Sequence, residues 1–228
     1  MSSPGPRFEL PGRGRALFSA RADGNMSSVA GEGSERGEEA RERLRAQLGL
    51  ERLARGYQVH GSTVALVESV PPVQPAGEAR HEADGQATAL RGVGTMVLAA
   101  DCVPVALGCR GAVAMVHAGW RGLAAGVLEQ GVHALATLSP GEQIVAIVGP
   151  CAGVCCYEVG PEVHAALGAP HSEGRRLDLR AIAHDRLLAA GVAEVRDEQA
   201  CTICDERFFS HRREGERAGR QAGVAWLS

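Results

Sequence analysis

Three stretches of this chain place a metal-binding or nucleophilic side chain where an apolar run breaks off. His60 lies in QVHGSTV (58–64), Asp101 and Cys102 in AADCVPV (99–105), and His117 opens HAGWRGLAAGV (117–127). Strands ending at these points could bring two imidazoles and one thiolate to one edge of a sheet. That donor set suits zinc, and three protein ligands leave a fourth position for water or substrate, as a catalytic zinc needs. Copper also binds such donors, because its raw affinity exceeds that of zinc. The donors are scattered rather than packed as CxxC or HExxH, so on spacing alone a buried cysteine with two hydrogen-bonded histidines is the leading reading. The same residues also fit a cysteine hydrolase, with Cys102 as nucleophile and His117 or His60 as base.

Other side chains could complete such a site. Asp101 can either hydrogen-bond a metal-bound imidazole and fix its tautomer or cap a turn at a strand end. Arg121, four residues beyond His117, can bind an oxyanion through its planar fork or sit in a structural ion pair. Arg212, Arg213 and Arg220 are further cationic candidates. His81 and Asp84 lie on a loop that could reach the pocket, so Asp84, Asp101 and Arg121 are the expected substrate contacts. Gly119, Gly122 and Gly126 read as sites of close backbone packing, since no GxGxxG pattern is present. Cys155-Cys156 reads as part of a structural wall. Cys201 and Cys204 form a CxxC pair that could bind zinc or cycle as a dithiol, but no second CxxC completes a four-cysteine site. His133, His164, His171 and His184 fall on loops or helix faces without such company.

The elements that would carry these residues follow from hydrophobic patterning. Apolar runs at 94–100, 111–116 and 143–148 have the length and β-branched content of strands buried on both faces. Alternation from Gln58 into VALVESV predicts a strand stopped at Pro71-Pro72, and 15–20, 201–210 and 223–227 are strand-like. Helical spacing appears at 38–48 (closed by Gly49), 123–138, 161–167 and 179–190. Residues 22–37 and 71–85 read as loops, and residues 1–13 as a flexible lead. The order of strands and helices predicts an α+β (mixed α/β) fold, a single domain over 14–228 with a mixed sheet.

Composition narrows the classes of function. The chain has 228 residues, 45% hydrophobic content and a formal charge of −3, ordinary for a globular protein and short of the basic excess a nucleic-acid surface needs. All 24 basic residues are arginine, which excludes Schiff-base chemistry and leaves arginine for phosphate or carboxylate. Aromatics at 4% argue against base-stacking platforms. No apolar run reaches the roughly 20 residues of a membrane span. The segment MSSPGPRFELPGRGR has no apolar signal core, and seven cysteines read as reduced thiols, so a cytoplasmic location is expected.

Taken with GPCAGVCCYEVG (149–160), FFSHRREG (208–215) and GRQAG (219–223), these motifs resemble the YfiH-like laccase-domain family, once labelled multicopper polyphenol oxidases and now described as purine nucleoside phosphorylases. The resemblance covers roughly 14–228. It implies a sandwich core flanked by helices, zinc held by His60, Cys102 and His117, and phosphorolysis of purine nucleosides, with adenosine deamination by metal-activated water also implied. Some relatives are linked to peptidoglycan precursor editing, which would suit the hydrolase alternative. A laccase reading fits poorly, because the eight histidines include no HxH pair. The chain departs from the family at ARADGNMSS (20–28), at ADGQAT (83–88) and at His211, where the family has tyrosine.

Overall fold

Three seven-residue apolar segments follow one another between residues 93 and 118, each too apolar to face water on either side. Chains with such strands must cover both sheet faces, and this one does so with four layers. The computed structural model describes residues 5–72, 81–168 and 171–228. In chain order the first elements are β1 (Arg7–Leu10), β2 (Gly14–Phe18), α1 (Gly37–Gln47), β3 (Arg52–Ala54) and β4 (Val64–Val67). Next come β5 (Gly85–Thr88), β6 (Val93–Ala99), β7 (Val103–Cys109), β8 (Ala112–Ala118), α2 (Trp120–Ala124) and α3 (Val127–Leu138). The chain closes with β9 (Val145–Val148), α4 (Pro161–Leu167), β10 (Ser172–Glu173), β11 (Arg176–Leu177), α5 (Leu179–Ala189), β12 (Glu194–Asp197), α6 (His211–Glu214) and β13 (Gln221–Leu227).

Two mixed sheets form the centre. One has the order β1-β2-β13-β6-β3 and the other β12-β9-β7-β8-β5-β4. Alternation along each strand divides the apolar side chains between two faces. Phe18, Val97, Met115, Ile147 and Ala225 meet between the sheets. Leu17, Met96, Val224 and Trp226 point the other way, against Leu44 of α1. On the far side, Val105, Leu107 and Val116 pack against Leu128 and Leu135 of α3 and Leu187 of α5. The expected α+β fold with a mixed-sheet sandwich and flanking helices is therefore present. Asp178 caps α5 by accepting from Ala181 N at 3.0 Å.

Several boundaries differ from the sequence expectation. The lead 1–13 contains β1, which pairs antiparallel with β2 from Arg7↔Leu17 to Leu10↔Gly14, so its apolar Leu10 is recruited into the sandwich. Residues 1–4 of that lead, and 73–80 of the expected loop 71–85, lie outside the described residues. The helix expected over 123–138 starts earlier, at Trp120, and breaks into two at Gly126, whose φ of 86° only glycine adopts readily. The strand entering at Gln58 begins only at Val64, because the chain turns sharply at His60. The segment 201–210 forms turns; Arg213 takes up the carbonyls of Thr202 and Ile203 that a sheet neighbour would otherwise use. β7, not singled out from the sequence, is the strand that links the two sheets' chemistry: Ala100–Cys102 carry the chain from β6 in one sheet to β7 in the other.

Packing between the sheets leaves no room for enlargement at Gly149, where a Cβ would lie 2.4 Å from the ring of buried Phe18. Gly149→Ala is expected to destabilise the protein by about 1–3 kcal/mol through overpacking. Urea unfolding should show a lowered midpoint with unchanged slope; an unchanged midpoint would mean that Phe18 can move aside freely.

Candidate metal centre

His60, Cys102 and His117 come from three different places in the fold and converge. His117 lies near the end of β8, on the same side of the strand as Val113 and Met115. Cys102 sits on the turn that switches sheets, next to Asp101 at φ 89°, and His60 sits at φ 61° on the loop between β3 and β4. Left-handed backbone at non-glycine residues costs on the order of 1–3 kcal/mol and persists only where the surroundings hold it. Here they do. Gln58 pairs through its side-chain amide with both the N–H and the carbonyl of Leu98 in β6, at 2.8 and 2.7 Å. Asp84 receives the N–H groups of Val59, His60 and Gly61 at 3.1, 3.0 and 2.8 Å.

One candidate ligand atom from each of the three side chains lies within 4.8 Å of the other two. Cys102 Sγ is 3.9 Å from His60 Nε2, and the two imidazole rings stand edge to face with centroids 4.9 Å apart. Tetrahedral zinc would hold a sulfur and a nitrogen roughly 3.6 Å apart, so little movement separates this arrangement from coordination. His117 Nδ1 lies 2.8 Å from Asp84 Oδ1. An ionised carboxylate can only accept, so Nδ1 carries the proton and Nε2 is left for a metal, the usual carboxylate–histidine–metal relay. Gly119 closes the cradle: a Cβ there would fall 2.8 Å from His60 Cδ2 and 3.1 Å from Cys102 Sγ.

Electrostatics favour the same occupant. Burial raises the pKa of the Cys102 thiol, but the positive charge and hydrogen bond of His117, with help from His60, overcome it and hold the group at about 6. Burial likewise opposes a charged His117, yet Cys102 and Asp84 push its pKa above the ordinary imidazole value. For Asp84, burial would raise the carboxyl; bonds from His117 and from the N–H groups of Gly61 and Val59 outweigh it and hold the pKa low. A thiolate and a carboxylate facing one proton-bearing imidazole make a site where a divalent cation can take that proton's place.

Not every expected contact holds its expected role. Asp84, read as a substrate contact, is fully buried with both oxygens committed; it positions His60 and His117 instead. Asp101, read as a substrate contact and as either an imidazole partner or a turn cap, accepts from Thr202 Oγ1 at 2.6 Å and from Arg212 N at 2.7 Å, and so takes the turn-fixing role beside Cys102. Arg121 is exposed and lies over its neighbour Trp120, 4.3 Å from the ring centroid. His81 is exposed on the chain leading to Asp84. Arg213 spends its guanidinium on the carbonyls of Thr202, Ile203 and Phe208 and on Glu214. Arg220 is half-buried, and the charges of Cys102 and Asp101 act on it. Tyr157, which the sequence reading passed over, is buried where the charges of Cys102 and Asp101 reach its phenol. Its only sequence signal is its place in the CCYEVG motif.

Residues 14–228 match the family described as multi-copper polyphenol oxidoreductase laccase. The chain belongs to that laccase-domain family. It is 41% identical to a purine nucleoside phosphorylase of Xylella fastidiosa, over 95% of this chain and 88% of the relative. A purine nucleoside phosphorylase of Pseudomonas aeruginosa is 36% identical over 97% of each chain. Among solved structures, a Neisseria meningitidis protein superposes with a TM-score of 0.82 at 30% identity, covering 99% of this chain and 98% of that one. For a laccase-domain member, the described residues offer just two groups able to hold a metal, this trio and a set of four cysteines, and no histidine-rich copper cluster.

Asp84→Asn should weaken metal binding by about 10–100-fold, because the new NH2 cannot accept from the backbone N–H groups or from His117. Competition against a chelator of known affinity checks this, and wild-type affinity in the variant would show that Asp84 does not position the donors.

Proposed function

We propose that the protein is a zinc-dependent purine nucleoside phosphorylase that transfers the ribosyl group of adenosine, inosine, guanosine or methylthioadenosine to inorganic phosphate. The observation that carries the reading is Arg220, a half-buried guanidinium on which the charges of Cys102 and Asp101 act. Its guanidinium donates to the carbonyls of Ala218 and Gly219, and among the described residues no carboxylate forms an ion pair with it. Burial pulls its pKa down while Cys102 and Asp101 draw it back, so this cation is partly desolvated without a salt-bridge partner among the described residues. A phosphate dianion is the kind of partner such a guanidinium accepts. The names of the relatives point to the same reaction.

The chain's residues then divide the work. Phosphorolysis forms a bond from a phosphate oxygen to the sugar C1′ as the bond from C1′ to the purine nitrogen breaks. Arg220 would hold the phosphate and offset its charge, and Arg212, stacked 4.7 Å from the Tyr157 ring centroid, extends the cationic rim. Burial first, and the charges of Cys102 and Asp101 next, push the Tyr157 phenol up to about 12, which keeps it protonated as a neutral donor. His60, Cys102 and His117 would hold zinc, and Asp84 would keep His117 in the tautomer that leaves Nε2 available. When bound, the ion supplies a Lewis-acid charge beside the reacting groups. Adenosine deamination at the same centre is the finer part of the proposal, resting on the three-donor set that leaves one position open.

One observation favours a second reading. Cys102 faces His117 with its thiol pKa lowered to about 6, the pairing found in cysteine hydrolases, so a metal-free enzyme acting on an amide substrate is the alternative. Alkylation separates the two: stoichiometric zinc that protects Cys102 from iodoacetamide excludes the free nucleophile.

Incubation with adenosine, with and without phosphate and chelator, tests the main reading. Phosphate-dependent release of adenine with ribose 1-phosphate is expected, inosine being the product of deamination. Arg220→Ala should lower kcat/KM for phosphorolysis by about 10²–10³-fold, mainly through phosphate, and Cys102→Ala should abolish both activities. Phosphorolysis that survives Cys102→Ala, or base release that ignores phosphate, overturns the proposal.

A further inference from the structure

Outside the trio, four more cysteines come together. Cys155 and Cys156 lie on the turn after β9, where Cys156 N and Tyr157 N both donate to Gly153 O at 3.0 Å. Cys201 and Cys204 lie on the turn after β12. The two segments are joined by backbone: Cys151 bridges Cys201 in parallel pairing, and Thr202 N donates to Cys151 O at 3.0 Å. All four sulfurs lie within 4.8 Å of one another. Cys204 Sγ is 3.0 Å from Cys156 Sγ and 3.5 Å from Cys155 Sγ. The CxxC pair thus finds its complement in an adjacent Cys-Cys pair, a spacing with no second CxxC to announce it.

We propose that Cys155, Cys156, Cys201 and Cys204 form a second zinc site, structural and separate from the His60–Cys102–His117 centre. Four thiolates around tetrahedral zinc stand roughly 3.8 Å apart at the usual zinc–sulfur bond length, close to the separations present here. Adjacent residues on a tight turn can point both sulfurs at one ion. The surroundings suit thiolates. Gly153 N donates to Cys201 Sγ at 3.2 Å, and the N–H groups of Ile203 and Cys204 face the same sulfur, the pattern that steadies charged sulfur in a zinc knuckle. Behind the turn, the Arg213 guanidinium binds the carbonyls of Thr202 and Ile203 at 2.7 and 2.9 Å, which places a positive charge under a cluster that would carry net negative charge.

Binding requires no redox step: each thiol loses its proton to solvent as its sulfur takes a coordination position. All four ligands come from the protein, so the coordination sphere is closed and the ion serves structure. What it clips is specific. Ala152 N donates to Asp101 O at 2.9 Å and Thr202 Oγ1 to Asp101 Oδ1 at 2.6 Å, so both clipped turns hold the residue next to Cys102.

The test counts zinc and thiols in protein purified and reloaded under reducing conditions. Two zinc ions per chain are expected in the wild type. One is expected in His60→Ala/His117→Ala and one in Cys155→Ala/Cys204→Ala, both of whose altered cysteines are exposed. Cobalt(II) loaded into His60→Ala/His117→Ala should give the intense absorption of an all-thiolate tetrahedral site, and chelator should lower that variant's melting temperature. A His60→Ala/His117→Ala chain that holds no zinc overturns the site. That holds whether its four thiols then titrate as free or its mass shows a disulfide. Because the deciding variant lacks the first centre, the result stands apart from the phosphorylase proposal.

Discussion

Removing a carboxylate wholly from water costs more than most proteins can recover unless every lone pair is met. Asp84 meets them with three consecutive N–H groups from the loop around His60 and with the ring of His117, and it stays ionised as a result. The charge does two jobs through one side chain. It compels the loop to turn at His60 in a conformation that non-glycine residues avoid, and it sets the tautomer of His117. The placement of the two imidazoles follows from that one buried charge, and Cys102 arrives by a separate route.

That route is the passage between sheets. β6 and β7 are consecutive in sequence but belong to opposite layers, and the short turn joining them carries Asp101 and Cys102. Asp101 is tied to Thr202 and to Arg212 N, so the turn is fastened to segments from the far end of the chain. Arg220 and Tyr157 reach the same region from the segment leading into the C-terminal strand and from the loop after β9. The centre therefore depends on long-range closure, and no single segment of sequence contains it.

How much of this was legible beforehand differs by feature. The buried strands β6, β8, β9 and β13, and the helices α1, α4 and α5, were readable because periodicity and terminal glycines mark them. The break at Gly126 was missed because one glycine inside a helical pattern does not reveal the sign of its φ. The conversion of 201–210 into turns was hidden because the group that diverts its carbonyls, Arg213, lies beyond the segment. At the centre, residue type nominated His60, Cys102 and His117, but it did not separate a metal site from a buried cysteine with two hydrogen-bonded histidines, and the ligand set came with the family resemblance. For Asp101 the sequence left an imidazole partner and a turn cap both open, and the structure gives the turn; the imidazole is oriented by Asp84, read from the sequence only as a substrate contact. Only three-dimensional pairing could show that, and the meeting of Cys155-Cys156 with Cys201 and Cys204 is hidden for the same reason.

The three donors are anchored on both layers of the sandwich: His117 on the six-stranded sheet, Cys102 on the crossover, and His60 on a loop fastened to Leu98 on one side and to Asp84 on the other. A metal–ligand bond tolerates about 0.2 Å of error. The gap between the layers, filled by Phe18, Met115, Ile147 and their neighbours, is thereby placed under a tolerance far tighter than folding alone imposes. Volume-conserving exchanges in that interior that stability would forgive could still detune the centre, so an evolving lineage would be expected to drift more freely around α1 than between the two sheets.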